Sequence, residues 1–221
     1  MPFVWLSHVL SDNTPLYGGA DNLQIIPEKA IQSGDSCNTS FIKMPSHAGT
    51  HVDVPKHFIA DGRAIDSFSA GEWIFYDPCI IKIDILPGTL IEQKHIINYN
   101  MFERADFIIF KTGFENCRKD DIFWQQSPGL AAELADFLLI KCPKLRAVGM
   151  DFISISSLKH RDKGRMAHRE FLQRGILIFE DMRLSELQPH THLQKVIALP
   201  LRFKQGDGAP VTIVGVIDED I

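Results

Sequence analysis

His47, His51, Asp53 and His57 fall in one short stretch, His47-Ala48-Gly49-Thr50-His51-Val52-Asp53-Val54-Pro55-Lys56-His57-Phe58. Imidazole nitrogens and carboxylate oxygens are the donors that borderline first-row divalent cations take, so the segment reads as half of a metal site. A cation held there would bring the pKa of bound water from about 15.7 toward about 7 and could polarise a carbonyl, chemistry that can serve hydrolysis. One histidine alone in a turn is ordinarily a satisfied polar residue, but this crowding of potential ligands is not explained that way. A short segment rarely encloses a cation, so further donors must come from elsewhere in the chain.

His47 and His51 stand at i and i+4 and would share a face if the segment were helical. Gly49, the β-branched Thr50, Val52 and Val54, and then Pro55 favour extended or turning backbone instead. On a strand His51 and Asp53 point to the same side, and a bend at Gly49 returns His47 beside them. His57 lies beyond Pro55 and approaches from a separate piece of backbone.

The best further donors come late, in the stretch from Arg165 to Asp181. It reads as a short helix stopped near Gly175, then a buried apolar strand ending in acids. Glu180 is expected at the carboxyl end of that strand, the edge where open α/β sheets place ligands, and His168 near the start of the helix. On physical grounds alone a solvated acid describes Glu180 equally well.

The first segment carries every fixed position of His-x-Gly-Thr-His-x-Asp-x-Pro-x-His, and it resembles the signature of the cyclase-like metal-dependent hydrolases, which include bacterial kynurenine formamidase and isatin hydrolase. Leu6-Ser7-His8 with Thr14-Pro15 is similar to the opening of that family, and Thr112-Gly113-Phe114 to its Thr-Gly-Trp turn. Val148-Gly149-Met150-Asp151 with Ser154 resembles its Gly-x-Asp-x-x-Ser stretch, and Leu199-Pro200-Leu201 with Gly208-Ala209-Pro210-Val211 its closing hairpin. The resemblance covers nearly the whole chain.

It implies that His47, His51 and Asp53 hold one metal, that Asp53 can bridge to a second, and that His168 and Glu180 complete a binuclear site. It further implies His57 as the proton-transfer residue and an assembly of dimers or larger homo-oligomers. Tyr17 falls where kynurenine formamidases place a tryptophan against the aromatic substrate, and Ser156 where many relatives carry an acid; both are departures from the family pattern. Zinc suits the nitrogen-rich donor set and the carboxylates also admit manganese. The expected reaction is hydrolysis of a small amide, an N-formyl aromatic amine first and an isatin-like lactam second. A binding protein that keeps the fold without turnover is the competing class, disfavoured because a binder needs no proton shuttle beside a metal pair.

The elements that must position these residues follow from the apolar pattern. Strands are expected at Cys79 to Ile85, Phe107 to Lys111, Leu145 to Met150, Ile176 to Phe179, Val196 to Leu201 and Val211 to Ile217. The clearest helix is expected to start at Ser127-Pro128 and to run through Leu130, Leu134, Phe137 and Leu138. Strands alternating with helices imply an α/β fold with parallel pairs, and Gln205-Gly206-Asp207-Gly208 a terminal antiparallel hairpin. The family resemblance implies a swivelling β/β/α arrangement.

At 221 residues with 45% hydrophobic content the chain suits one well-buried core, and it is read as a single domain over 1–221. A net charge of −5 and scattered lysines and arginines give no basic field for nucleic acid. Cys37, Cys79, Cys117 and Cys142 lie far apart with no Cys-x-x-Cys pair and are expected as reduced, mostly buried thiols, which suggests the cytoplasm. The start of the sequence lacks the basic lead-in of a signal peptide, and no apolar run approaches a membrane span. The run Leu158 to Arg165 is polar and basic; it reads either as a lid over an anionic substrate or as a solvated loop, with His160 not needed as a ligand. His190 and His192, after Pro189, read as a surface turn, and His8 and His95 as structural.

Overall fold

The structure, a computed structural model, describes residues 2–19, 23–97, 103–187 and 191–218. In chain order the strands are β1 (Phe3–Trp5), β2 (Gln24–Lys29), β3 (Thr39–Lys43), β4 (His51–Asp53), β5 (Ile74–Phe75), β6 (Pro78–Lys82), β7 (Leu90–Ile91), β8 (Phe107–Lys111), β9 (Gly129–Leu130), β10 (Ala147–Met150), β11 (Leu177–Glu180), β12 (Leu193–Pro200) and β13 (Gly208–Ile217). The α-helices are α1 (Ile122–Gln125), α2 (Leu134–Lys141) and α3 (Arg161–Gln173). Nine strands form one mixed sheet in the order β5-β12-β13-β4-β11-β10-β8-β6, with β1 beside β13.

The sheet has two halves. β6, β8, β10 and β11 are parallel; the crossover from β8 to β10 carries α1 and α2 and that from β10 to β11 carries α3. β4, β13, β12 and β5 are antiparallel to their neighbours. The two edge strands, β5 and β6, are consecutive in the chain, so the sheet nearly closes on itself. Asp106 and Arg146 pin that closure: the Asp106 carboxylate accepts from Tyr76 N (2.9 Å) and Asp77 N (3.1 Å), while Arg146 donates to Ile74 O (2.7 Å) and to Asp106 (3.0 Å).

Strand alternation divides the apolar residues between two cores. Ile108, Phe110, Val148 and Ile178 pack with Leu134, Leu138, Ala167 and Phe171 on the helical side. Phe107, Ile109, Phe179 and Val52 face the opposite way and meet Phe75, Val196 and Ile213 within the curled sheet. Burial of apolar area at about 25 cal/mol per Å² favours this arrangement only while every strand keeps its register, because a slip of one residue exchanges the two faces.

Several expectations change in detail. The expected helix at Ser127-Pro128 begins instead at Leu134: Gly129–Leu130 is a short strand parallel to Leu90–Ile91, and Leu130 N donates to Ile155 O (2.9 Å). Backbone pairing in a buried crevice there outweighs the proline signal; Ser127 donates to Pro128 O (3.0 Å) and caps nothing. The basic run is not a loop, because Leu158–His160 is a 3₁₀ turn and Arg161 opens α3. His168 therefore lies in the middle of that helix and not near its start. Cys37 is exposed, contrary to the expectation of mostly buried thiols, and Cys142 is buried. Among the described residues no helix is long and apolar enough to cross a membrane. His192 is exposed and pairs with Asp218 (2.9 Å), whereas His190 lies outside the described residues.

Candidate active site

β11 is the last strand of the parallel half and pairs with β4, the first of the antiparallel half, so the carboxyl end of β11 meets the start of β4. The register sets Glu180 opposite His51 and Ile178 opposite Asp53, placing Glu180, His51 and Asp53 on the face that α3 covers. On the other flank Gly208 sits opposite Asp53; a Cβ there would lie 2.5 Å from His47 Cε1, so glycine leaves the space that this imidazole fills. Gly49, at φ +60°, makes the bend between His47 and the strand. Pro55–His57 is a single 3₁₀ turn, with proline in its first position as its fixed φ favours, and it brings His57 round to the same centre.

α3 contributes His168 by pressing close to the Ser154–Ser157 segment. A Cβ on Gly164 would lie 2.1 Å from Ser156 Oγ, so only glycine permits the contact. His168 Nδ1 donates to Gly164 O (2.9 Å) and lies 3.2 Å from Ser156 Oγ, while Phe58 stacks on the ring at 4.4 Å. Ser156, one of the two departures, thus touches the outer side of an expected ligand. Ser154 Oγ (3.0 Å) and Ile155 N (2.7 Å) both donate to Glu180 Oε1 and fix that carboxylate.

His47, His51, Asp53, His57, His168 and Glu180 all line one cavity of about 300 Å³, together with Tyr17, Phe58, Arg161 and Arg165. Asp53 turns Oδ1 to His47 Nδ1 (2.7 Å) and His51 Nε2 (3.5 Å), and Oδ2 to His168 Nε2 (3.4 Å). Glu180 divides likewise, Oε2 lying 3.3 Å from His51 and Oε1 3.5 Å from His168. Both carboxylates therefore span two sets of nitrogen donors.

The donor set fits a cation. His51 Nδ1 donates to Gly49 O (2.8 Å), as His168 Nδ1 does to Gly164 O, and a carbonyl only accepts; each ring therefore turns Nε2 to the carboxylates, as a donor when protonated and as a lone pair open to a cation when neutral. Lone pair facing lone pair in a buried site is unfavourable unless a positive charge lies between. Asp53 Oδ2 is buried and has no hydrogen-bond partner among the described residues. The titration behaviour has the same origin: burial alone would lower the His168 ring, but Asp53 and Glu180 outweigh it and raise it to about 10. The same competition, with Asp53 and Asp207 as partners, raises His47 to about 9, and in the reverse sense Glu180 is held down at about 2.

His57 differs. Burial lowers its ring below the ordinary value despite the nearby acids, leaving it neutral around pH 7. Its Nδ1 donates to Asp207 Oδ2 (3.1 Å), and the same oxygen accepts from His47 Nε2 (2.9 Å). Asp207 was not singled out from the sequence, where it is one of the turn residues of Gln205-Gly206-Asp207-Gly208; the β12–β13 hairpin carries it across to the site. Tyr17, in a short turn ending at Gly19, lines the cavity half-buried. Thr112, Gly113 and Asp151 are structural: Asp151 accepts from Thr112 N and Gly113 N and ties the ends of β8 and β10 together. His8 sits near Glu115 and Asp181, and His95 caps its own turn, both outside the cavity.

The family model described as "Putative cyclase" matches residues 4–157 of the chain, and His168 and Glu180 lie beyond that stretch. A kynurenine formamidase of Bacillus cytotoxicus is 33% identical over 184 residues, spanning 83% of this chain and 81% of its own. The solved structure of isatin hydrolase A from Labrenzia aggregata superposes with a TM-score of 0.81 at 21% identity, covering 97% of this chain and 93% of the other. A structure described as a potential metal-dependent hydrolase with cyclase activity gives 0.76 at 20% identity and covers 100% and 99%. At those identities the two structures speak to the fold, while the length of the family match speaks to descent: the chain belongs to the cyclase family.

Proposed function

We propose that the protein is a metal-dependent amidohydrolase that cleaves the C–N bond of a small aryl formamide, N-formylkynurenine being the first candidate. The observation that carries this is the division of Asp53 and Glu180, each turning one oxygen to His51 and the other to His168. His47, His51 and Asp53 would hold one cation, and His168 with Asp53 and Glu180 a second, zinc or manganese being suited to the mixed nitrogen and oxygen donors. When bound there, a divalent cation lowers the pKa of water and polarises a carbonyl.

The rest falls to the side chains. With Nδ1–H held by Asp207, the His57 ring keeps Nε2 free to take a proton from the attacking water. The same nitrogen then returns that proton to the departing amine, without which an amide nitrogen leaves poorly. Tyr17 and Phe58 offer an apolar wall for an aryl group. The kynurenine formamidase relative at 33% identity supports a formamide over a lactam.

A homodimer or larger assembly belongs to the same proposal. Among the described residues β2 and β3 pair only with each other, every residue of β3 is exposed, and Ile26, Phe41 and Ile42 face outward. An isolated two-stranded ribbon is marginal in water, which favours cover from a second copy. A cytoplasmic location is proposed from the free cysteines.

The test is to strip the protein with chelator, return zinc or manganese singly, and follow N-formylkynurenine beside isatin. Turnover of N-formylkynurenine restored by one metal is expected. Faster opening of isatin would move the substrate to the lactams, and full metal loading with no turnover of either would favour a binding protein.

A further inference from the structure

The curled sheet leaves a second cavity away from the metal chemistry. β5 is only two residues long, and among the described residues the edge strand β6 pairs only with β8, so β6 faces the start of β12 across an open seam. Asp106 pins this seam at Tyr76 and Asp77. Along β6 it opens into a cavity of about 660 Å³, against about 300 Å³ for the metal-site cavity, and the two share no lining residue.

Strand alternation decides what faces the seam. Ile80 packs on the same core as Phe107 and Ile109, so Lys82 and Lys111, two residues further on, end that face of β6 and β8. The register sets the two lysines side by side on strands about 4.8 Å apart, and like charges directly opposed across strands are destabilising. Lys111 donates to the Leu187 carbonyl and has two further N–H groups; Lys82 is exposed and forms no ion pair among the described residues. Asp77 is the one carboxylate on the lining, and it stands five residues before Lys82, roughly 16 Å along the strand. His192, at the start of β12, is taken by Asp218 (2.9 Å). Ile80, Leu187 and Leu193 present the end of the inner core as an apolar floor beside the lysines.

We infer that the seam is a second ligand site, separate from the metal cavity, for a small amphipathic anion: a carboxylate, sulfonate or phosphate head between Lys82 and Lys111, and an apolar body against Ile80, Leu187 and Leu193. An anion there converts the repulsion of the lysine pair into charge-assisted hydrogen bonds, and a lysine ammonium receives such a head as a point charge. The floor gains by covering apolar area that the open seam leaves to water. The inference is independent of the reaction proposed above.

Metal-loaded protein would be titrated calorimetrically with 1-naphthalenesulfonate and with neutral 1-naphthalenemethanol. A sulfonate is a poor ligand for divalent cations, so the metal cavity does not compete for it. The sulfonate is expected to bind at least about tenfold more tightly than the alcohol, the size of one partly solvated charge-assisted contact, and the preference should shrink with added salt. Lys82→Glu, at an exposed position, sets an acid beside Lys111; it should abolish the preference without lowering the Tm, because an opposed like-charge pair becomes an opposite-charge pair. Equal affinity for the two compounds, a preference that salt does not weaken, or one that survives in Lys82→Glu would overturn the site.

Discussion

At the scale of single residues, Asp207 links the proposed metal ligand His47 to the proposed base His57. One of its oxygens accepts from both His47 and His57, so it orients a ligand and fixes the tautomer of the base together. Asp207→Ala should lower kcat about 10- to 100-fold, the usual cost of losing an outer-shell partner, with most of the bound metal retained. Steady-state kinetics beside elemental analysis check this, and an unchanged kcat would remove Asp207 from the mechanism. His57→Ala should lose most turnover, roughly a hundredfold or more, at full metal content. The first four site residues were legible because they crowd into one segment whose composition forces it extended. Asp207 was not, since a turn aspartate gives no local sign of the hydrogen bonds it makes to residues 150 and 160 positions away. Tyr17 was legible only through the family resemblance.

At the scale of elements, the site depends on how closely α3 approaches the Ser154–Ser157 segment. Gly164→Ala would drive a methyl group into Ser156, whose Cα lies only 2.7 Å from the ideal Cβ position, so the helix must shift and carry His168 with it. A loss of about 1–3 kcal/mol in stability is expected, with weakened metal retention, measured by thermal unfolding and metal analysis. Wild-type values for both would show that α3 has slack there. The core strands were legible because β8, β10 and β11 are buried apolar runs, and the terminal hairpin because its turn residues are explicit. The start of α2 was misread because Pro128 marks a crevice strand as readily as a first helical turn, and only the partner backbone at Ile155 decides between them. In the same way Gly164 falls in the run read as a lid or a solvated loop, although in the helix it serves close packing.

At the scale of the whole molecule, the decisive event is the insertion of β4 between β13 and β11, which joins the two halves of the sheet at the ligands. No local pattern encodes it, because β4 is three residues long and both partners lie far along the chain. Global stability should also carry a pH signature remote from the ligands. Burial, with help from Asp151 and Asp181, raises Glu115 to about 7, although Leu184 N–H and Lys111 oppose the shift. Its folded pKa lies above its unfolded value, so its contribution is complete below about pH 4.5 and is lost as pH rises through about 7. Glu115→Gln, which can still accept from Leu184 N, should raise the Tm by about 3–5 °C at pH 8 and by much less at pH 5; an equal gain at both would reject this origin. The central claim, that His47, His51 and Asp53 would hold one cation and His168, Asp53 and Glu180 a second, is tested most directly by counting metal equivalents on purified, reconstituted protein by mass spectrometry. Two per chain are expected, falling to one or fewer in Asp53→Ala, and an unmodified protein that binds at most one, or an Asp53→Ala protein that keeps both, would contradict it.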